Sequence, residues 1–493
     1  MSRGVGFAAA FTVAAVLGPA LGPSPARAGR VPRYGGDLRV QIASVPAEVD
    51  PLQLVGDDGD LVASCVYEGL ARWGDTDLEP ALARHWVHDD DSRRWQFQLR
   101  PEVLFHDGTR CDAAAVKESL VRLADPKHSR FAWILSDLEG WEDFSSGRTK
   151  DLAGIDTPQP DAIELRFVRP VPDLPMRLAI PAAGIVRRVG ADRFGTGPFK
   201  LLGATPDAIR LTAFKDHWAS RAFLDHVDFM SRRDTEIVLW SNVAEMARSS
   251  GSETLPGGAL RLRAGAQRLG FALLHPDSQV LASEDLRRRL AESFDRGVFV
   301  RAVLSGDGQG ASGLAPQASK LIPSRSVESE GDLATRPQQR ARIVVPASEP
   351  VMRALGERLQ VHLFALGLNA DLDVLPAPAF EAALAARSYD IVVLGWTPPQ
   401  PHAENVEPGT RVRQLLSTVV QPLLRERMPA AWSGILAGSS KEPEAALLKG
   451  AYLVPLVFFH DSWQTTADLQ NVHLGGVSPS LGVASAHLDP TSQ

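Results

Sequence analysis

Four stretches of this 493-residue chain hold residue types that could do chemistry. His85 and His88 stand three apart and run into Asp89 and Asp90, all ligand types for a metal ion. Asp57-Asp58-Gly59-Asp60 opens like a calcium loop, and Gly306-Asp307-Gly308-Gln309-Gly310 has the glycines of a phosphate loop. Cys65 and Cys111, the only cysteines, either form one disulfide or rest as two buried thiols. Each of the first three lacks something its chemistry needs. The histidine pair lies in a polar, Asp-rich run that reads as a solvated turn. The acidic stretch lacks the later ligands of a calcium loop. The glycine run follows a helix rather than a strand, so nothing aims backbone amides at a phosphate. Two cysteines cannot alone make a structural zinc site. No Gly-x-Ser-x-Gly, His-Glu-x-x-His or Walker-type lysine occurs. The expectation is therefore no catalytic residue, no metal and no cofactor.

Composition points the same way. Hydrophobic residues at 44% and charged residues at 23% suit a large folded core rather than disorder, and the length calls for more than one lobe. A formal charge of −7 argues against a nucleic-acid partner, which would require a basic face. Ten Trp against four Tyr suits core packing and a ligand-facing wall. The first residues read as an export leader: Arg3, an uncharged apolar run from Gly4 to Leu21, and the small-x-small site Ala26-Arg27-Ala28. Cleavage near Ala28 removes Arg3 and Arg27 and no acid, taking the charge from −7 to −9. No later stretch has the ~20 apolar residues of a membrane span.

The elements that would position any site begin with Trp95 to Leu123. Trp95, Phe97 and Leu99 alternate with polar residues, the pattern of a half-buried strand. His106-Asp107-Gly108-Thr109 supplies a turn, and Asp112 caps a helix carrying Ala115, Val116, Ser119, Leu120 and Leu123. Ser44 to Asp60 reads as loop and Leu61 to Leu70 as a short helix. Ile163 to Val168 alternates as a strand. Gly195 to Leu201 is a tight turn feeding a strand, with Ile209–Leu211 and Val227–Phe229 as its neighbours. Ser283 caps an amphipathic helix pair running to Leu304, with Arg287, Arg288 and Arg289 toward solvent. Gly306 to Gln317 is a glycine-rich loop, and Lys320 to Gln339 a polar connector. Strand and helix then alternate: Ile343–Val345, Val351–Leu366, Ala370–Val374, Ala379–Ala386 and Ile391–Leu394. That order implies an α/β unit with a largely parallel sheet. Helices at Arg411–Leu424 and Ala430–Leu436 precede a last apolar strand, Tyr452–Phe459.

Read in order, many of these segments resemble the family 5 extracellular solute-binding proteins, the dipeptide, oligopeptide and nickel receptors of ABC importers. The resemblance is carried by YGGDLRV, VDP at Val49–Pro51, VYEGLARW, LEPALARHW, FHDGTRCDAAAVKESLVRL, GTGPFKL, SEDLRRRLAESFDRG, LGERLQVHLFALGLNADL and YDIVVLGWTP. It implies an α/β, two-lobed, periplasmic-binding-protein-like fold (type II, cluster C-like) with an extra subdomain inserted in the first lobe. After a leader over 1–28, lobe I would combine 29–60, 151–264 and 461–493, the insert 61–150, and lobe II 265–460. Crossings near Gly265 and His460 would form the hinge.

Function follows from the resemblance as an expectation: a periplasmic, monomeric receptor that captures a small polar solute between the lobes and delivers it to ABC permease subunits in the inner membrane. The implied contact residues are Trp396, whose indole can stack on a solute at the end of its strand, with Thr397, Gln400 and His402 beside it, and Asp50 and Phe194 across the cleft. One departure bears on the ligand. Peptide-binding members carry an Asp a few residues after the Gly-Trp, where it meets the ligand's α-ammonium. Here Gly395-Trp396 runs into Thr397-Pro398-Pro399-Gln400-Pro401-His402-Ala403-Glu404 without it. The family's usual Asn on the strand entering lobe II is also absent from FALLHPDS, where His275 lies nearby. A non-peptide ligand, such as a metal chelate, a sugar or an opine-like compound, is the alternative, and an exported scaffold or sensory protein retaining the fold is another.

Overall fold

Alternating apolar residues make Asp37–Ile42 a strand with one buried face, and the same pattern recurs at Arg94–Leu99 and Ala208–Ala213. The structure is a computed structural model that describes residues 32–42, 45–46, 48–54, 56–74, 78–231, 243–248, 260–315, 340–347, 349–398, 408–424, 427–436, 439–466, 469–474, 481–482 and 485–488. The expected leader, the 320–339 connector, and Gln400, His402 and Glu404 lie outside these. Everything below concerns the unit Arg33–Gln493.

Among the described residues one eleven-stranded sheet runs through both lobes. On one side Phe199–Thr205, Ala208–Ala213, His226–Ser231, Asp37–Ile42 and Val243–Arg248 lie in that order. On the other, Ile391–Trp396, Ala341–Pro346 and Ala370–Leu375 do. Between them run two long strands, Leu260–Leu274 and Leu453–Thr465, paired antiparallel with their register shifted between Arg263 and Gln267. The expected largely parallel unit is present, within a sheet that is mixed as a whole. Ala341–Pro346 pairs in parallel with both its neighbours, because a helix returns the chain each time, but Ile391–Trp396 meets Leu260–Leu274 antiparallel.

Each face of the second-lobe strands has its own core. Ala272, Leu274, Ile391 and Val393 face the helices Glu284–Ser293, Arg296–Ala302 and Pro350–Ala365. Leu269, Phe271, Val392 and Trp396 face the opposite layer, with Val412, Leu415 and Trp432. A separate four-stranded antiparallel sheet, Ala83–His88, Arg94–Leu99, Ala162–Arg166 and Ile155–Gln159, packs with the helix Ala113–Ala124 around Phe97, Leu120 and Ile163. Its core draws on residues from Leu70 to Ile185, with Leu52 added from before the first helix. Among the described residues no helix is long and apolar enough to cross a membrane.

The caps fall where the side chains allow. Asp112 accepts from Ala115 N at 3.0 Å and Ser283 from Leu286 N at 3.4 Å. Two expectations need correction. The first helix is Gly56–Val66, not Leu61 to Leu70: a run of Asp and Gly reads as a turn, yet a helix start favours acidic residues, and Gly59 lets this one pack closely on the chain before it, since a Cβ there would stand 3.1 Å from the Leu54 carbonyl carbon. Arg287 does not face solvent with Arg288 and Arg289. It turns inward, donates to the carbonyls of Gly450, Leu281 and Ala282 at 2.8 Å each, and lies 4.0 Å over the Tyr452 ring. Its neighbours on the helix face therefore read as polar while its own guanidinium seals a chain turn.

Candidate functional site

The strand Ile391–Trp396 ends at the residue pair on which the ligand expectation was built. Gly395 is there because Arg268 occupies the space a side chain would need: a Cβ at Gly395 would stand 2.7 Å from the guanidinium carbon. Arg268 is held in place by Glu349, at 2.9 and 3.3 Å, and lies 5.8 Å over the Phe459 ring. On the other face Trp396 is 5% exposed, its indole packed with Leu269, Val412 and Trp432, and Thr397 is buried beside it. Trp396 is therefore mainly a core residue, and its loop partners Gln400 and His402 fall outside the described residues.

Asp50 and Phe194 belong to the scaffold. Asp50 is fully buried, and its carboxylate accepts from Arg122 Nη2 at 2.7 and 2.8 Å, Arg193 Nε at 2.9 Å and Leu52 N at 3.0 Å. Burial alone would raise its pKa, but the bonds from Arg122, Leu52 and Arg193 outweigh it and hold the carboxyl below its usual range. With its oxygens so occupied, Asp50 has no solute contact to make. Phe194 is half-buried against the insert's core, on a short strand paired with Arg187–Val189. Cys65 and Cys111 are free thiols in two separate cores, each pushed up to about 12 by burial. His88 Nδ1 engages its neighbour Asp89 O at 2.6 Å at the end of an exposed strand, and among the described residues no metal-ligand cluster exists.

Two of the signature segments meet at one half-buried carboxylate, and a third bonds beside it. Glu68 of VYEGL accepts from Thr196 Oγ1 at 3.0 Å and from Trp218 Nε1 at 2.9 Å, with His217 Nε2 at 3.2 Å. His106 of the FHDG turn engages Gly197 O at 3.0 Å, and burial pushes its pKa down to about 4. Gly195 and Gly197 have no room for a Cβ, which would strike the Val66 carbonyl in the first case and come within 2.6 Å of the Cys65 carbonyl in the second. These motifs lock the turn to the first helix. They are structural.

Among the described residues, a space large enough for a solute lies elsewhere. A cavity of about 940 Å³ opens between the insert and the second lobe. Arg130, Trp133, Ser136 and Trp141 line it from one side, Ser417, Gln421 and Leu436 from the other. Beside it the two lobes touch through buried polar groups. Thr410 Oγ1 donates to Asp173, and Arg413 lies 5.6 Å over the Trp133 ring. Asp173 is paired with Arg177 at 2.9 Å, and Asp137 with Arg169 at 2.5 Å. Arg130 differs from these. It is half-buried, and desolvation alone lowers its pKa, with no carboxylate or hydrogen bond offsetting it. An indole-walled chamber with hydroxyl and amide groups and one unneutralised guanidinium can hold and orient a solute. None of this wall was foreseen. The segment His128-Ser129-Arg130-Phe131-Ala132-Trp133 carries no motif, and its only signal is a cation set among apolar residues.

Residues 77–406 match the family model described as bacterial extracellular solute-binding proteins, family 5 Middle. The probable D,D-dipeptide-binding periplasmic protein DdpA of Escherichia coli is 22% identical over 409 residues, 72% of this chain and 73% of that one. The murein tripeptide binding protein MppA of Escherichia coli superposes with a TM-score of 0.72 at 17% identity, covering 93% of this chain and 99% of that one. The binding protein AgaA of A. tumefaciens R10, solved with agropinic acid, gives 0.68 at 19% identity, over 92% and 99%. At these identities the two solved structures establish the two-lobed fold.

Proposed function

The chain belongs to the bacterial extracellular solute-binding proteins of family 5, and from that premise we propose that it captures a small polar solute in the cavity between its lobes and hands it to an ABC permease in the inner membrane. The observation that carries this reading is the cavity itself: about 940 Å³, enough for a small organic molecule, with walls supplied by both lobes. A solute touching both walls favours the closed arrangement by its greater affinity for it, which is what lobe closure requires. The periplasm is its compartment, as for its relatives, reached through a leader cut near Ala28. The protein acts as a monomer, without nucleic acid, and binds rather than transforms its solute.

For the domain division, the pairing of Ile155–Gln159 and Ala162–Arg166 with Arg94–Leu99 supports an insert that runs past Lys150 to near Ile185. The register shift between Arg263 and Gln267 supports a hinge where Leu260–Leu274 and Leu453–Thr465 cross. For the ligand, the missing Asp after Trp396 favours a non-peptide or amino-blocked compound over a free-amino peptide, and AgaA, which shares the fold, was solved with agropinic acid. Trp396 and Thr397 would then support the site from behind, with Gln400 and His402 following them in the chain.

Solution scattering on the purified mature protein, titrated with blocked peptides, sugars, sugar acids and metal chelates, tests the reading. A contraction with one of them is expected. A radius of gyration that none of them changes, together with a native mass spectrum free of retained solute, would instead favour a scaffold or sensory role.

A further inference from the structure

We propose that the cavity takes an organic anion, its carboxylate held by the Arg130 guanidinium and its body lying along the Trp141 indole. This rests on the receptor reading above and names the chemistry of its solute. Every other charge around the cavity is accounted for. Asp137 is paired with Arg169 at 2.5 Å and lies 3.8 Å from Arg177. Asp143 is paired with Arg148, and both Glu142 and Asp143 are exposed at the rim, where water screens them. Arg130 alone lines the cavity as a half-desolvated charge without a partner among the described residues. Removing a guanidinium from water with nothing opposite it is unfavourable, and an incoming carboxylate reverses that cost with two parallel hydrogen bonds.

The neighbourhood strengthens the preference. Arg411 and Arg413 are both buried on the helix Pro408–Leu415 that meets the insert, and Arg411 Nη2 has no hydrogen-bond partner. Nothing comparable awaits an ammonium: the described acids facing the cavity are neutralised or solvated. Ser136 and Gln421 offer neutral polar groups for the rest of the solute.

The test uses the mature chain and two matched pools. One holds N-acetyl dipeptides and hexuronic acids, all anions. The other holds C-terminally amidated dipeptides and the corresponding neutral hexoses. Binding is read by calorimetry and by quenching of tryptophan fluorescence, alongside the scattering experiment. The anionic pool is expected to bind and the other not. Arg130→Gln should weaken the bound member about 10- to 100-fold, the range for losing a charge-assisted bond, and Arg130→Lys by less. The melting temperature of solute-free Arg130→Gln should hold or rise, since the charge it removes is unpaired, which separates lost binding from lost folding. Equal binding of the uncharged or cationic pool, or an unchanged affinity in Arg130→Gln, overturns the inference and leaves the receptor reading standing. Scattering that contracts only with cationic or neutral solutes does the same. Absence of binding by either pool, with no contraction, overturns both.

Discussion

Replacing Gly395 by Ala tests whether the glycine of the Gly-Trp pair is fixed by Arg268 rather than by a solute. The new methyl would stand 2.7 Å from the Arg268 guanidinium carbon, well inside contact distance. The side chain it must push is the end of a flexible arginine, which in solvent would move freely. Here it is about 5% exposed and joined to a Glu349 that is itself 17% exposed, so moving it breaks a largely buried ion pair. Overpacking alone costs about 1–3 kcal/mol, and disrupting a buried pair about 3–5 kcal/mol when one charge is wholly stranded. Glu349 keeps some access to water, so the expected loss for Gly395→Ala is about 2–3 kcal/mol. Arg268→Ala should cost a similar amount by stranding Glu349. In the double variant the methyl has nothing to strike, so the losses should fall short of their sum by about 1.5–3 kcal/mol. Urea unfolding of the four proteins, with unchanged m-values, measures this coupling directly. Strict additivity, or a Gly395→Ala protein as stable as the parent, would refute the packing argument.

Gly195→Ala and Gly197→Ala should each destabilise by more than about 3 kcal/mol, because the obstacles are the Val66 and Cys65 carbonyls and backbone cannot swing aside; a thermal melt within a degree of the parent would contradict this. Asp50→Ala should cost about 3–5 kcal/mol by leaving Arg122 and Arg193 without their carboxylate, and denaturant midpoints should show the loss whether or not solute is present. His106 and His362 are held by burial at about 4 in the native state, against an ordinary value of 6.5. Between those values the unfolded chain binds the extra protons, so stability is level above about pH 6.5 and falls as the pH drops toward 4. Urea midpoints across this range should show that fall, less steeply in His362→Gln, and a midpoint that rises on acidification would reverse the assignment.

Much of the scaffold was legible because it depends on local rules. Trp95, Phe97 and Leu99 alternate, and the strand has their side chains inside. Asp112 and Ser283 have the oxygen a helix start needs, and both cap. Gly367 ends its helix in the left-handed region that glycine tolerates. The signature segments marked the family, but their contacts were not readable in them: only folding brings Thr196 onto Glu68 and His106 onto the Gly197 carbonyl. Arg287 followed the wrong face because periodicity assigns a side chain a direction and cannot see the carbonyls of Gly450 waiting there.

The candidate site shows the division most clearly. By itself the sequence established a two-lobed solute-binding chain, most of its helices and strands, and the lack of an Asp just after Trp396, since each rests on neighbours in the chain or on a recurrent pattern. Only the tertiary structure decided that Asp50 is enclosed by two arginines while Arg130 is left facing a chamber opposite Ser417 and Gln421. Whether a charge is satisfied depends on groups brought close by packing from distant parts of the chain, and that information is absent from any window of the sequence.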